Sequence, residues 1–347
     1  MPDVLEQSPV RAFPGSIDIV VPCHNEAEAL PLSTPTVIDL MRSLIARNGA
    51  NDCRLRLVLV DDGSRDRTWE VIKDQARQFP EVTGIKLARN FGHQNALLGG
   101  LSRANAEVVI SLDADLQDDP KAMEAMIEKY RHGAEIVFGV REERATDTVF
   151  KRSTAVGFYR IMNALGINLV HNHADYRLMS RKALRVLLEY NEVNLFLRGV
   201  VASMGFKTAI VEYARSSRVA GSTSYNIAKM LGLALTGLLS FSSLPLRMIA
   251  VAGFFASLLS LFIALWVLFS ALFERQYIVP GWASLLLPIS LFGSLQLLSA
   301  GIIGEYIGRI YLEVKRRPRF ILDDVVDGRR LDGSVAFRDE DVVADAD

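Results

Sequence analysis

The sequence predicts an α/β domain with a mostly parallel sheet over residues 17–225, followed by an apolar region and a charged tail. Short apolar runs alternate with amphipathic segments, which is typical of parallel strands covered by helices on both faces. Four of the predicted strands end in polar loops. Because such sheets bind ligands at the carboxyl ends of their strands, these loops form the candidate site. Two long uncharged runs near the C-terminus predict a second, membrane-embedded part.

A flexible arm is predicted over residues 1–16, which contain three prolines and no periodic pattern. Apolar, β-branched runs then alternate with helical patterns, and short loops join them. The predicted strands cover 17–22, 54–60, 83–87, 108–112, 135–139 and 208–213, and the predicted helices cover 27–48, 68–79, 96–104, 120–132, 154–166 and 181–190.

The acidic stretch after the fourth predicted strand is the most informative part of the sequence. Asp113 and Asp115 follow the apolar run 108–112 directly. Two carboxylates one residue apart can share a hard divalent cation that also carries substrate phosphates. The alternative is an Asp-rich turn in which Asp118 or Asp119 caps the next helix. On these residues alone, both interpretations stay open.

Other strand ends also carry polar side chains. Asn25 and Glu26 follow the first predicted strand, where they can bind a ligand or cap the next helix, and Asp62 lies in a tight turn after the second. Asp175 and Arg177 lie between two apolar segments, either as pocket residues or as a buried salt bridge.

Several enzyme classes are disfavoured by missing motifs. The loop after the first predicted strand has no glycine, which argues against a nicotinamide enzyme, and no glycine-rich loop ends in Lys-Ser or Lys-Thr. A serine elbow and a cysteine–histidine nucleophile context are also missing. Cys23 and Cys53 are the two cysteines, a usage that fits a reducing compartment without disulfides.

The uncharged runs 248–273 and 276–304 are each long enough to span a bilayer as a helix. They predict a two-helix transmembrane hairpin over 244–312, preceded by an interfacial helix over 226–243. Basic residues flank the hairpin on its outer sides, which places the large domain in the cytoplasm. A buried helical hairpin of a soluble protein is the alternative. The tail 313–347 is first basic and then acidic, and it is predicted to be disordered from about Asp323.

Five motifs in order resemble the family-two inverting glycosyltransferases. They are VPCHNE at 21–26, DDGS at 61–64, RNFG at 89–92, DADLQD at 113–118 and DYRLM at 175–179. With two C-terminal spans, the chain looks like the polyisoprenyl-phosphate glycosyltransferases, which include dolichol-phosphate mannose synthases and undecaprenyl-phosphate glucosyltransferases. The resemblance covers about residues 17–318.

The resemblance implies a GT-A type nucleotide-sugar-binding fold. Asp62 and the loop after Pro22 would hold the nucleoside, while Asp113, Asp115 and Gln117 would hold Mg²⁺ or Mn²⁺ against the donor diphosphate. The implied donor-binding set is Pro22, Asn25, Glu26, Asp62, Asn90, Asp113 and Ala114.

On the acceptor side, the resemblance assigns the lipid phosphate to Arg141, Arg144 and Arg218 and places Asp175 beside the reacting sugar carbon. With Asp115, these residues form the expected catalytic set. An acceptor phosphate is already ionised near neutral pH, so we expect Asp175 to orient or stabilise rather than to act as a base. Ser224 stands where the family usually has lysine, which leaves the phosphate ligands open, with Lys151, Arg215 and Lys229 as candidates to compensate.

The sequence therefore predicts inverting, metal-dependent transfer of one sugar from a nucleotide sugar to polyprenyl phosphate at the bacterial cytoplasmic membrane. Membrane lipids are expected partners and nucleic acid is not. Gly301, Gly304 and Gly308 offer a packing stripe for a homo-oligomer. The alternatives are the same fold acting on a different lipid acceptor, and a catalytically silent membrane scaffold. A silent relative would be expected to lose a metal carboxylate, whereas Asp113 and Asp115 are both present.

Overall fold

A computed structural model describes residues 10–141, 173–192, 197–214 and 282–331, together with a few helical residues between 251 and 262. The chain divides into two compact units. One comprises Met1–Arg160, Asn168–Ser224 and Pro318–Asp347, and the other comprises Ile161–Ile167 and Tyr225–Arg317.

The first unit contains an eight-stranded sheet with the order β7-β5-β6-β4-β1-β2-β3-β8. All neighbouring pairs are parallel except those made by β6 and β8, so the mostly parallel α/β sheet is confirmed. The strands are β1 Ser16–Cys23, β2 Arg54–Asp61, β3 Val82–Leu87, β4 Val108–Ser111, β5 Ile136–Arg141, β6 His173–Ser180, β7 Thr208–Tyr213 and β8 Leu322–Asp327.

Helices cover the sheet because the central strands are apolar on both faces. Ile17, Ile19 and Val20 of β1 are fully buried. The helices of this unit are α1 Leu30–Arg47, α2 Thr68–Gln78, α3 His93–Ser102, α4 Ala122–Arg131, α5 Arg181–Glu189, α6 Leu197–Ser203 and, beyond the second unit, α8 Gly328–Leu331. Of the predicted helices, 154–166 lies outside the described residues.

Helix α3 packs unusually close to the sheet. A Cβ added at Gly100 would lie 2.3 Å from Val20 Cγ1 and 2.8 Å from Val60 Cγ2, so only glycine fits there. At the neighbouring Gly99 the nearest atom, from Phe320, would be 3.5 Å away, an ordinary contact distance. Gly100 therefore fixes the depth of the helix whose first residue is His93.

Two strands were missed in the sequence. β6 pairs antiparallel with β4 and β5, although Asp175 and Arg177 interrupt its apolar pattern. β8 pairs antiparallel with β3 inside the segment predicted to be disordered, and Lys86 Nζ lies 2.9 Å from Asp323 Oδ2 across the pair. The prediction of disorder from Asp323 is therefore wrong for 323–331, because this chain end completes an open edge of the sheet.

The predicted flexible arm is also ordered from Val10 onward. Arg11 Nη2 lies 2.5 Å from Glu135 Oε1, and the Arg11 guanidinium stacks over the Tyr130 ring. Phe13 packs against the core. Apolar contact and ion pairing hold this segment in spite of its prolines.

The described part of the second unit is mainly α7, Trp282–Val314, a helix of 33 residues that contains Pro288. In the ranges that the structure describes, no helix is long and apolar enough to cross a membrane. The predicted interfacial helix and most of the first predicted span lie outside those ranges. The two membrane spans stay a prediction.

Candidate active site

A cavity of about 290 Å³ opens where the loops after β1, β2, β3 and β4 meet. This is the carboxyl edge of the parallel strands, as the sequence predicts. The cavity is lined by Pro22, Cys23, His24, Glu26, Asp62, Asn90, Gly92, His93, Ala96, Asp113, Ala114 and Asp115.

The loop after β1 is fastened to the loop after β2. Asn25 has a φ of 57°. Its side-chain oxygen accepts from Arg65 N–H at 2.9 Å, and its own N–H donates to Ser64 Oγ at 3.0 Å. Glu26 N–H donates to Thr68 Oγ1 at 2.9 Å. Helix α1 begins without a side-chain cap, so the helix-cap interpretation of Asn25 and Glu26 is wrong.

Asp62 organises the third loop of the site. Its two carboxylate oxygens accept from Phe91 N–H at 2.7 Å and Gly92 N–H at 3.0 Å. Burial raises the pKa of this carboxyl, although both amide hydrogen bonds oppose the rise. The loops approach so closely that a Cβ at Gly63 would lie 2.4 Å from the Asn90 nitrogen. Asp62 thus shapes the cavity wall around Asn90.

Asp113 and Asp115, on the loop after β4, line the cavity. Burial, together with the neighbouring Asp118, Asp175 and Asp115 carboxylates, raises the pKa of Asp113 to about 6, and the nearby His93 opposes this. His93 Nε2 lies 3.7 Å from Asp113 Oδ1. Crowded carboxylates of this kind favour a bound cation.

The predicted third metal ligand, Gln117, does not line the cavity. Its side chain is buried, and its backbone N–H donates to Asp115 Oδ1 at 3.1 Å. In the described segments, no group of three or more His, Cys, Asp or Glu side chains is placed to hold a metal. Two carboxylates still fit Mg²⁺ or Mn²⁺, because such ions are commonly held by one or two carboxylates plus substrate phosphates.

Asp175 lies at the centre of a second charged group, here called the Asp175 cluster, formed with His93, Arg177 and Arg198. Arg177 Nη2 donates to Asp175 Oδ1 at 2.6 Å, and Arg198 Nη2 donates to Oδ2 at 3.1 Å. His93 Nε2 lies 3.5 Å from Oδ2. The buried salt bridge between Asp175 and Arg177 is confirmed. Neither residue lines the cavity, but Asp175 contacts His93, which does.

The cluster keeps Asp175 ionised. Burial alone would raise its pKa, but the hydrogen bond from His93 and the charges of Arg177 and Arg198 hold the pKa well below its usual range. For His93, burial lowers the pKa, but the Asp175 and Asp113 carboxylates outweigh this and raise it.

Asp118 has a larger role than a helix cap. Its side chain is 0% exposed and accepts from Arg141 Nε at 2.8 Å, Arg141 Nη2 at 3.1 Å and Tyr213 OH at 2.6 Å. The alternative in which Asp118 caps the next helix is therefore wrong, and that helix, α4, begins without a side-chain cap. Asp119 does take a local turn role, since it accepts from Lys121 N–H at 3.0 Å.

The structure thus brings most of the predicted donor-side residues together. Asn25 bonds the loop after β2 and Gln117 bonds Asp115 within its own loop, but neither lines the cavity. Arg144 and Arg218 lie outside the described residues. Sequence reasoning missed His24, His93, Arg198 and Tyr213. A signal was available for His24 and His93, because both lie within polar loops at strand ends. Arg198 and Tyr213 become neighbours of the site only through the pairing of β5, β6 and β7.

An open, mostly parallel α/β sheet with acidic loops around a cavity at its carboxyl edge is the architecture that the resemblance to glycosyltransferases implies. The family description "Glycosyl transferase family 2" matches residues 18–188. The chain belongs to this family, and the protein is a glycosyltransferase.

Relatives match along most of the chain. The uncharacterized glycosyltransferase YkoT of Bacillus subtilis is 47% identical over 310 residues, which cover 88% of this chain and 91% of that protein. The SfII prophage-derived bactoprenol glucosyl transferase of Shigella flexneri is 38% identical, and the match covers 88% of this chain and 97% of that protein. The prophage bactoprenol glucosyl transferase homolog of Escherichia coli is 36% identical, and the match covers 89% of this chain and 99% of that protein.

Solved structures also resemble the chain at lower similarity. Mannosyl-3-phosphoglycerate synthase from Rubrobacter xylanophilus has a TM-score of 0.44 and 15% identity, and covers 64% of this chain and 71% of its own. A second structure is glucosyl-3-phosphoglycerate synthase from Mycobacterium tuberculosis in complex with Mn²⁺, UDP-glucose and phosphoglyceric acid. It has a TM-score of 0.42 and 17% identity, and the match covers 65% of this chain and 79% of that chain.

Proposed function

We propose that this glycosyltransferase moves a single sugar from a nucleotide sugar to a polyprenyl phosphate, with inversion and with a divalent metal ion, at the cytoplasmic face of the membrane. Relatives named bactoprenol glucosyl transferase support a polyprenyl acceptor and a glucosyl donor. The two predicted membrane spans would hold the enzyme where such a lipid resides.

The ion pairs made by Asp175 support a phosphate acceptor rather than a hydroxyl acceptor. A hydroxyl acceptor has to lose its proton as it attacks, and a carboxylate beside the sugar carbon is the usual base. Here Arg177, Arg198 and His93 occupy the Asp175 carboxylate and keep its pKa low. An ionised phosphate needs no such base, so the Asp175 cluster suits a phosphate acceptor.

On the donor side, Asp113 and Asp115 would hold Mg²⁺ or Mn²⁺ with the diphosphate of the nucleotide sugar. When bound, the ion supplies positive charge against the charge that develops on the leaving diphosphate. Asp62 keeps the 90–92 loop in place through its two amide hydrogen bonds. Glu26 and Asn90 line the wall that we assign to the nucleoside.

The test uses the full-length protein in membranes, with UDP- and GDP-sugars as donors and Mg²⁺, Mn²⁺ or EDTA. Undecaprenyl phosphate, undecaprenol and diacylglycerol are compared as acceptors. We expect a lipid-linked sugar with undecaprenyl phosphate only, its anomeric configuration inverted, and no product with EDTA. Product from undecaprenol or diacylglycerol but none from the phosphate would overturn the proposal.

Asp115→Ala separates the enzyme from a silent scaffold. We expect this variant to assemble in membranes like the parent protein but to transfer no sugar. Equal transfer by the variant and the parent would remove Asp115 from the site.

A further inference from the structure

The acidic loop after β4 carries a third carboxylate, Asp118, which the proposed donor site does not use. Asp118 lies three residues after Asp115 on the acidic loop, yet its side chain points away from solvent and is 0% exposed. A buried carboxylate is costly unless it is fully paired. Asp118 is paired with Arg141 at the end of β5 and with Tyr213 at the end of β7. We call these three residues the Asp118 cluster.

The pairing fixes the plane of the Arg141 guanidinium. Nε and Nη2 donate side by side to the two oxygens of Asp118, at 2.8 and 3.1 Å, in the fork geometry that is most selective for orientation. Tyr213 OH donates to the same Oδ1 at 2.6 Å and so restrains the carboxylate itself. The third nitrogen of the guanidinium, Nη1, is not used in this pairing with Asp118. The Arg141 side chain is 28% exposed, so the pairing does not seal it from a ligand.

The backbone is built to admit this arrangement. A Cβ at Gly139 would lie 3.0 Å from Tyr213 Cε1 and 3.1 Å from Tyr176 Cδ1, so this position leaves room for the two rings. The rings pack edge to face with centroids 5.3 Å apart. Tyr176 OH also donates to the Asp119 carbonyl at 3.2 Å, a second tie between the acidic loop and the β5–β7 side of the sheet.

We propose that Asp118 is a positioning residue that aims the Arg141 guanidinium at the phosphate of the acceptor, with Tyr213 restraining the carboxylate. This inference rests on the proposed function. It gives the acidic loop two tasks, since Asp113 and Asp115 serve the donor while Asp118 orients a cation for the acceptor. The carboxylate itself does not touch the substrate.

The test compares Asp118→Asn with Asp119→Asn, a neighbouring carboxylate whose described side-chain bond is the local one to Lys121. We expect Asp118→Asn to raise the KM for undecaprenyl phosphate about tenfold or more, as a lost charged hydrogen bond would. The KM for the nucleotide sugar should stay within about twofold of the parent value. Asp119→Asn should leave both values unchanged.

Tyr213→Phe provides a milder variant if Asp118→Asn fails to fold, and we expect a smaller rise in the acceptor KM from it. In a double variant with Arg141→Lys, Asp118→Asn should add little further change, because both act through one guanidinium. Binding of farnesyl phosphate, measured by calorimetry, should weaken in parallel with the acceptor KM.

The outcomes separate this inference from the proposed function. A parent enzyme that makes no product from undecaprenyl phosphate contradicts the proposed function. A parent enzyme that is active, with Asp118→Asn and Tyr213→Phe both folded and unchanged in acceptor KM, contradicts the positioning role. Equal rises in the donor and acceptor KM would also contradict it, because they would indicate a general distortion of the acidic loop.

Discussion

The two arginines that contact Asp175 differ in burial. This difference predicts that replacing Arg177 mainly lowers stability, whereas replacing Arg198 mainly lowers activity. The Arg177 side chain is 1% exposed, whereas that of Arg198 is 35% exposed. We consider Arg177→Met and Arg198→Met, since methionine fills a similar volume without the charge. Arg185→Met on the exposed surface of α5 serves as a control with the same change in charge.

The loss in free energy of unfolding depends on which partners remain beside Asp175 in each variant. Removing one partner of a buried ion pair costs about 3–5 kcal/mol. Because Arg198 and His93 remain beside Asp175, we expect Arg177→Met to cost about 3 kcal/mol, near the lower limit of that range. Arg198 is partly hydrated and Arg177 stays in place, so Arg198→Met should cost at most about 1 kcal/mol.

Thermal unfolding of the purified full-length protein measures these differences. For a domain of this size, 1 kcal/mol changes Tm by roughly 2–4 °C, so Arg177→Met should lower Tm by about 6–12 °C and Arg198→Met by about 4 °C or less. Arg198→Met should nevertheless lose sugar transfer, because Asp175 loses a partner that holds its orientation. If Arg198→Met unfolds at a lower temperature than Arg177→Met, or if Arg185→Met lowers Tm as much as Arg177→Met does, then burial does not govern the stability of the Asp175 cluster.

Two further predictions concern packing and pH. Gly100→Ala should destabilise the protein by about 1–3 kcal/mol, because the added Cβ would lie 2.3 Å from Val20 Cγ1. Gly99→Ala should be neutral or slightly stabilising, since its Cβ would make ordinary contacts. Denaturant unfolding measures both variants, and equal losses of stability would contradict the prediction. Asp175→Asn should lower kcat by roughly 100-fold. Since the Asp175 pKa lies well below its usual range, the carboxylate is ionised from about pH 5 to 9, and the loss should be present throughout that window. Its size should change only where His93 and Asp113 titrate, because the Asp175 charge raises the pKa of both groups. A loss that appears only towards high pH in the kcat profile would instead assign Asp175 as a titrating base.

Much of the site could be predicted because strand ends are marked locally in the sequence. Apolar runs that stop at Asp62 or at Asp113 identify both a strand and the edge at which its side chains meet others. The resemblance of ordered motifs then assigned roles to residues that the structure places around one cavity, such as Asn90 and Asp115. These features depend on short stretches of chain and on the rule that parallel strands share one carboxyl edge.

The remaining features depend on partners far apart in the chain. Asp118 has the local pattern of a helix cap, and only the pairing of β5, β6 and β7 brings Arg141 and Tyr213 to its carboxylate. β8 has an acidic, tail-like composition, and it is a strand because the edge of β3 offers it backbone partners.

The α/β class, the acidic edge and the glycosyltransferase resemblance can all be read from the sequence, since each depends on local pattern and on the order of motifs. The pairing of the charges is set by the fold. A carboxylate next to the metal candidates became a buried support for Arg141, because ion pairing in a low-dielectric interior depends on distances that no spacing in the sequence encodes.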